Sequence, residues 1–99
     1  MKRLPRITVA EYVIQGVLKI VWDDGYEGIV DLRPTIDRGK IFTYLQKSEN
    51  FRKFSVDEYG HSIGWVGDGG EEIDFDSYNL RMKSENQAKL QKLVANMHA

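Results

Sequence analysis

Five carboxylates crowd one glycine-rich stretch, Asp68, Glu71, Glu72, Asp74 and Asp76, and His61 stands a few residues upstream. Carboxylate oxygens are hard ligands suited to calcium or magnesium, and a histidine beside them is a base or ligand by chemistry. The register argues against both uses. A calcium loop needs the D-x-D-x-D-G order and a terminal bidentate glutamate, which this stretch lacks, and it therefore reads as a solvated acidic turn. A lone histidine opening a strand is ordinarily a surface or hydrogen-bonded residue. No nucleophile and base fall at a recognisable spacing, and the chain has no cysteine to serve as thiolate ligand or nucleophile. The expectation is a protein with no catalytic residues, no metal ligands and no cofactor.

A second constellation is basic. Lys2, Arg3 and Arg6, then Arg33, Arg38 and Lys40, then Lys47, Arg52 and Lys53 would form a phosphate-binding stripe if the fold aligned them, with Tyr44 or Tyr59 for stacking. Arg33, Arg38 and Lys40 are the candidate nucleic-acid contacts. Asp31, Asp37 and Glu49 interleave with these groups, and 14 basic against 15 acidic side chains leave a net charge of −1. No global field draws in nucleic acid or an anionic membrane, so the competing reading is an ordinary mixed surface. Trp22 and Trp65 read either as a ligand-binding aromatic pair or, at strand positions, as core anchors.

The third constellation is apolar. Leu90, Leu93, Val94 and Met97 repeat at helical spacing behind Ser84-Glu85-Asn86-Gln87, which matches a capping box. A helix of about 14 residues is marginal alone, so something must bury the stripe. Either it covers its own sheet or it meets a partner. The expectation is a mixed arrangement in which the helix packs near its sheet and its exposed edge, Met97 included, contributes to a symmetric dimer.

The remaining elements follow from periodicity and turn chemistry. Ile7 to Ile14 and Val17 to Trp22 alternate as strands around Gln15-Gly16, and Asp23-Asp24-Gly25 turns the chain into a third strand from Tyr26 to Leu32. Arg33-Pro34 ends the run. Ile41, Phe42, Tyr44 and Leu45 predict a helix between about Asp37 and Lys47. Phe51 to Val56 and His61 to Val66 predict a second hairpin, and Asp76 is placed to cap a helical turn. At 99 residues and 41% hydrophobic, the chain fits a single domain, with a core over 7–80 and a helical extension over 84–98. His98 reads as frayed terminus. Pro5, Arg6, Thr8 and Glu11 interrupt any signal-like apolar run, which predicts a soluble, cytoplasmic chain with no membrane partner. The fold class expected is α+β: an antiparallel sheet of two hairpin or meander units, a short intervening helix, and a C-terminal helix packed on the sheet.

The order of Asp24-Gly25, Val30-Asp31-Leu32, Phe42-x-x-Leu45, Phe51, Val56-Asp57, Ile63-Gly64-Trp65 and Gly70-x-Glu72-Ile73-x-x-Asp76 resembles the bacterial family called domain of unknown function 2442. The resemblance spans about Ile7 to Leu80. It departs from the family in a longer path from Trp65 to the loop glycine and in Phe75, where the family has proline. The resemblance implies a small α+β domain with Asp24, Gly25, Asp31, Trp65, Gly70 and Asp76 as motif positions, and no established activity. Some relatives are linked to helix-turn-helix segments or toxin-like neighbours. A molybdopterin-guanine-dinucleotide label carried by others finds no support here, because no glycine-rich phosphate loop joins a strand to a helix. The function expected is a non-catalytic interaction or regulatory module, antitoxin-like in one form, that binds itself as a homodimer or binds a small protein partner. A DNA-associated transcriptional regulator subunit is the alternative, and an enzyme or metal-binding protein the third reading.

Overall fold

A computed structural model describes residues 4–97; Lys2, Arg3 and His98 lie outside the described residues. The chain opens with β1 (Ile7–Ile14), β2 (Val17–Trp22) and β3 (Glu27–Asp31), an antiparallel meander in that spatial order. A second antiparallel sheet follows in the order β4 (Ser55–Val56), β5 (Ser62–Val66), β6 (Glu72–Asp76). Between the sheets lie α1 (Arg33–Ile36), a 3₁₀ segment (Lys40–Gln46) and α2 (Ser48–Phe51); α3 (Ser77–Met97) completes the chain. The architecture is α+β, with the C-terminal helix packed on the first sheet.

One core joins the two sheets. Leu18, Ile20, Trp22 and Val30 from the meander meet Ile63, Trp65 and Ile73 from the second sheet, with Leu45, Phe51 and Leu80 between them, all buried. Both tryptophans are core anchors whose indole N–H groups are satisfied: Trp65 Nε1 donates to the Phe51 carbonyl at 2.8 Å and Trp22 Nε1 to Ser77 Oγ at 3.0 Å. The sheets meet at Gly60, where φ is +74° and an added Cβ would lie 2.4 Å from the Ile7 carbonyl oxygen. Only glycine allows that approach together with the Ile7 N–H bond to the Gly60 carbonyl at 2.9 Å.

Three expectations from the sequence change. The helix expected over Asp37 to Lys47 is broken into short pieces, because Gly39 (φ 71°) and Lys40 (φ 56°) take consecutive left-handed conformations that no α-helix continues through. The strand expected from Phe51 shrinks to Ser55–Val56, since Phe51 is recruited into α2 and the core. Ser84 caps nothing. Asp76 starts the helix instead, its Oδ1 accepting the Asn79 N–H at 2.8 Å, and α3 runs 21 residues without interruption.

Candidate interaction surface

The candidate surface is built from α3 and the edge of the sheet it crosses. Close packing at Gly28 sets the crossing: an added Cβ there would lie 2.0 Å from Ser84 Oγ and 2.8 Å from the Tyr26 ring. Ser84 is buried by this contact, and its hydroxyl faces the Tyr26 hydroxyl at 3.5 Å. The Ser77 hydroxyl accepts the Trp22 N–H and donates to the Pro5 carbonyl at 2.7 Å, which pins the start of the helix.

Arg81 clamps the next turn. Its guanidinium forks onto Asp24 at 2.9 and 3.1 Å, bonds Glu85 at 2.6 Å, and lies 4.1 Å over the Tyr26 ring. The Arg81 hydrogen bonds hold the Asp24 carboxyl below the usual carboxylate range, and Asp24 in turn raises Arg81. Two turns on, the Gln87 side-chain amide accepts the Asp31 N–H at 3.0 Å and donates to the Asp31 carbonyl at 3.2 Å. These bonds tie α3 to the outer edge of β3.

Beyond Gln87 the helix leaves the domain. Its last ten residues project about 15 Å past that bond, and every residue from Ala88 to Met97 is exposed. Leu90 is 62% exposed, Leu93 59%, Val94 53% and Met97 79%. The stripe does not cover its own sheet, which removes the first of the two alternatives the sequence offered for it, for a geometric reason. At about 100° per residue it is centred roughly 110° around the helix from Ser77, Leu80, Ser84 and Gln87, the face turned to the sheet. A groove of about 730 Å³ runs between Leu90 and Val94 on the helix and Ile14, Val17 and Ile29 on the meander. Ile14 and Ile29 are themselves about half exposed.

The other candidate residues fall elsewhere. Arg33 is committed to Asp31, donating through Nε at 2.9 Å and Nη2 at 2.8 Å, and its guanidinium lowers the Asp31 carboxyl below its ordinary range. Arg38 and Lys40 are exposed on the connection after α1, so the three basic candidates do not act as one free patch. Glu72, Asp74 and Asp76 alternate along β6 toward solvent, with Asp76 engaged at the start of α3. Among the described residues no group of three or more His, Asp or Glu side chains is arranged to hold a metal ion. His61 Nδ1 lies 3.7 Å from Asp57 Oδ2 at the surface. Of the motif positions, Trp65 is buried, Gly25 and Gly70 adopt positive φ in their turns, and Asp24, Asp31 and Asp76 all accept hydrogen bonds that fix loops or α3.

Arg81, Gln87, Ser77, Ile14 and Ile29 are the surface and anchoring residues the sequence reading missed. Gly28 inside a strand signals a bulge or a close approach by another element; it pairs with Ile20 in unbroken register, so it marks the approach of Ser84 and no bulge. Comparison with family models, with curated proteins and with solved structures finds no match. No helix among the described residues is long and apolar enough to cross a membrane.

Proposed function

We propose that this protein is a non-catalytic interaction module whose projecting helix end binds a second copy of the chain, forming a symmetric dimer. The observation that supports this reading is the rotation of the apolar stripe away from the face α3 turns to its own sheet. A helix built only to cover the sheet would continue its apolar side chains along the inner face, where Val94 alone of the stripe falls, seven residues on from Gln87, while Leu90, Leu93 and Met97 turn away.

The available surface suits a second copy. The stripe together with Ile14 and Ile29 offers roughly 500 Å² of apolar surface per chain, counting about 60–100 Å² for each side chain. Two copies reach roughly 1,000 Å², the lower bound for a specific interface, before any polar rim is added. Lys89 and Lys92 are the only charges on the last ten residues of α3. Residues 54–79 carry seven acids and no lysine or arginine, so another copy also supplies countercharge. The family resemblance, with its small toxin-linked relatives, fits the same class of role.

Sedimentation equilibrium over a micromolar range tests the reading. The wild type sediments as a dimer at high micromolar concentration, and Leu93→Asp with Val94→Asp sediments as a monomer that still unfolds cooperatively. A wild type that stays monomeric overturns the proposal, and so does a double variant that stays dimeric.

A further inference from the structure

Among the described residues, the outer edge of β3 has no neighbouring strand in its sheet. The Leu32 N–H bonds the Gly16 carbonyl, and Ile20 pairs with Gly28 and Leu18 with Val30, so the even-numbered residues of β3 direct their peptide groups at β2. Antiparallel alternation then turns the N–H and C=O of Glu27, Ile29 and Asp31 outward. At Asp31 the Gln87 amide meets both groups, at 3.0 and 3.2 Å. One donor and one acceptor are what the backbone of a neighbouring strand would bring to that position. Among the described residues no side chain does the same at Ile29, two residues back along the edge.

We infer that this edge receives an extended peptide segment of a partner protein by strand addition, laid in the groove between β3 and α3 with Gln87 continuing the ladder at one end. The groove selects the chemistry of its occupant. Both acids on its strand wall are already paired, Glu27 with Lys19 at 3.3 Å and Asp31 with Arg33 at 2.8 Å, so an incoming segment meets no unpaired charge there. Ile29, Leu90 and Val94 offer apolar contact and Ala88 leaves room for a side chain. An uncharged segment with alternating apolar residues fits that lining, because backbone bonds supply affinity in strand addition and alternate side chains supply specificity. This goes beyond self-association through the stripe and requires a different occupant.

The probe is a short, end-capped peptide of alternating valine and threonine, titrated to millimolar concentration into the ¹⁵N-labelled full chain. The backbone amides of Glu27, Ile29 and Asp31 shift saturably, and the Ile29 N–H exchanges more slowly with solvent. The same peptide N-methylated at every residue, with no N–H left on either edge, leaves these amides in place. Ile29→Pro abolishes the response while keeping the fold, because the donor it removes faces away from β2. Gln87→Ala tightens binding several-fold, since the peptide then takes both Asp31 groups. Absence of saturable shifts, an equal response to the N-methylated peptide, or binding retained in a folded Ile29→Pro overturns the inference. If Ile29→Pro fails to fold, the two peptides against wild type still decide. In Leu93→Asp with Met97→Asp, two stripe residues that do not line the groove, loss of the dimer with peptide shifts intact separates strand addition from self-association.

Discussion

The two halves of α3 obey different rules. From Ser77 to Gln87 each turn has a partner: Ser77 with Trp22, Arg81 with Asp24 and Tyr26, Ser84 against Gly28, and Gln87 with Asp31. From Ala88 to Met97 the helix is more apolar in pattern and wholly exposed. Burial on the inner face of α3 is therefore achieved largely with polar side chains around Leu80, and the apolar residues that periodicity singles out at its end are left on the outside. A helix whose inner face is polar and satisfied by specific bonds has a fixed rotation about its axis, since each hydrogen bond requires direction as well as contact. Apolar contact alone would tolerate a roll.

The contrast is broken most severely at Leu80, which is fully buried. Leu80→Ala lowers the free energy of unfolding by about 2–5 kcal/mol in urea titrations, the range for a large-to-small change in a core. Leu93→Ala changes it by less than about 0.5 kcal/mol at concentrations where the chain is monomeric. Equal losses at the two leucines would erase the distinction.

A smaller effect sharpens it. Gly28→Ala places a methyl group against Ser84 Oγ and costs about 1–3 kcal/mol through overpacking. Combining it with Ser84→Gly restores part of that loss, because the nearest obstacle is gone, although the Tyr26 ring at 2.8 Å must still shift. Additive losses in a double-mutant cycle would show that the contact does not couple the strand to the helix.

The smallest effect is electrostatic. With its carboxyl held low by Arg81, Asp24 contributes stability that is complete above the ordinary carboxylate range and is lost as pH falls through the lowered value. Thermal melts in an acid series show a steeper loss for wild type than for Asp24→Asn, which begins less stable at neutral pH. Identical acid slopes would remove Asp24 from the clamp that holds the first half of α3.

Much of this architecture was legible in the residues. Alternation between Ile7 and Trp22 and the Asp24-Gly25 turn specify the meander, and Arg33-Pro34 ends it as proline requires. Asp76 was readable as a helix start. The length of α3 was not: Ser84 and Gln87 match a capping box, and only the tertiary contacts at Gly28 and Asp31 turn them inward, in the middle of a continuous helix. The intervening region misled for a related reason. Ile41, Phe42, Tyr44 and Leu45 carry helical spacing, but the left-handed pair at Gly39 and Lys40 resets the backbone and leaves 3₁₀ geometry, with Leu45 inward and Ile41 70% exposed. Asp31 stands among the acids that interleave with the basic groups, but that it binds Arg33 at two atoms depends on the strand-to-helix bend at Leu32, which composition does not reveal.

The missing side chain at Gly28 also sets a mechanical property. From Ser84 to Met97 the helix is an arm about 20 Å long with its fulcrum at that contact. Tilting the arm by only about 5° would sweep its tip through nearly 2 Å, about half the separation of two carbon atoms in contact. Whatever grips the end of the helix thus has leverage on the strand beneath it, and a load applied at Met97 is felt at β3 through the Ser84 hydroxyl and the Gln87 amide.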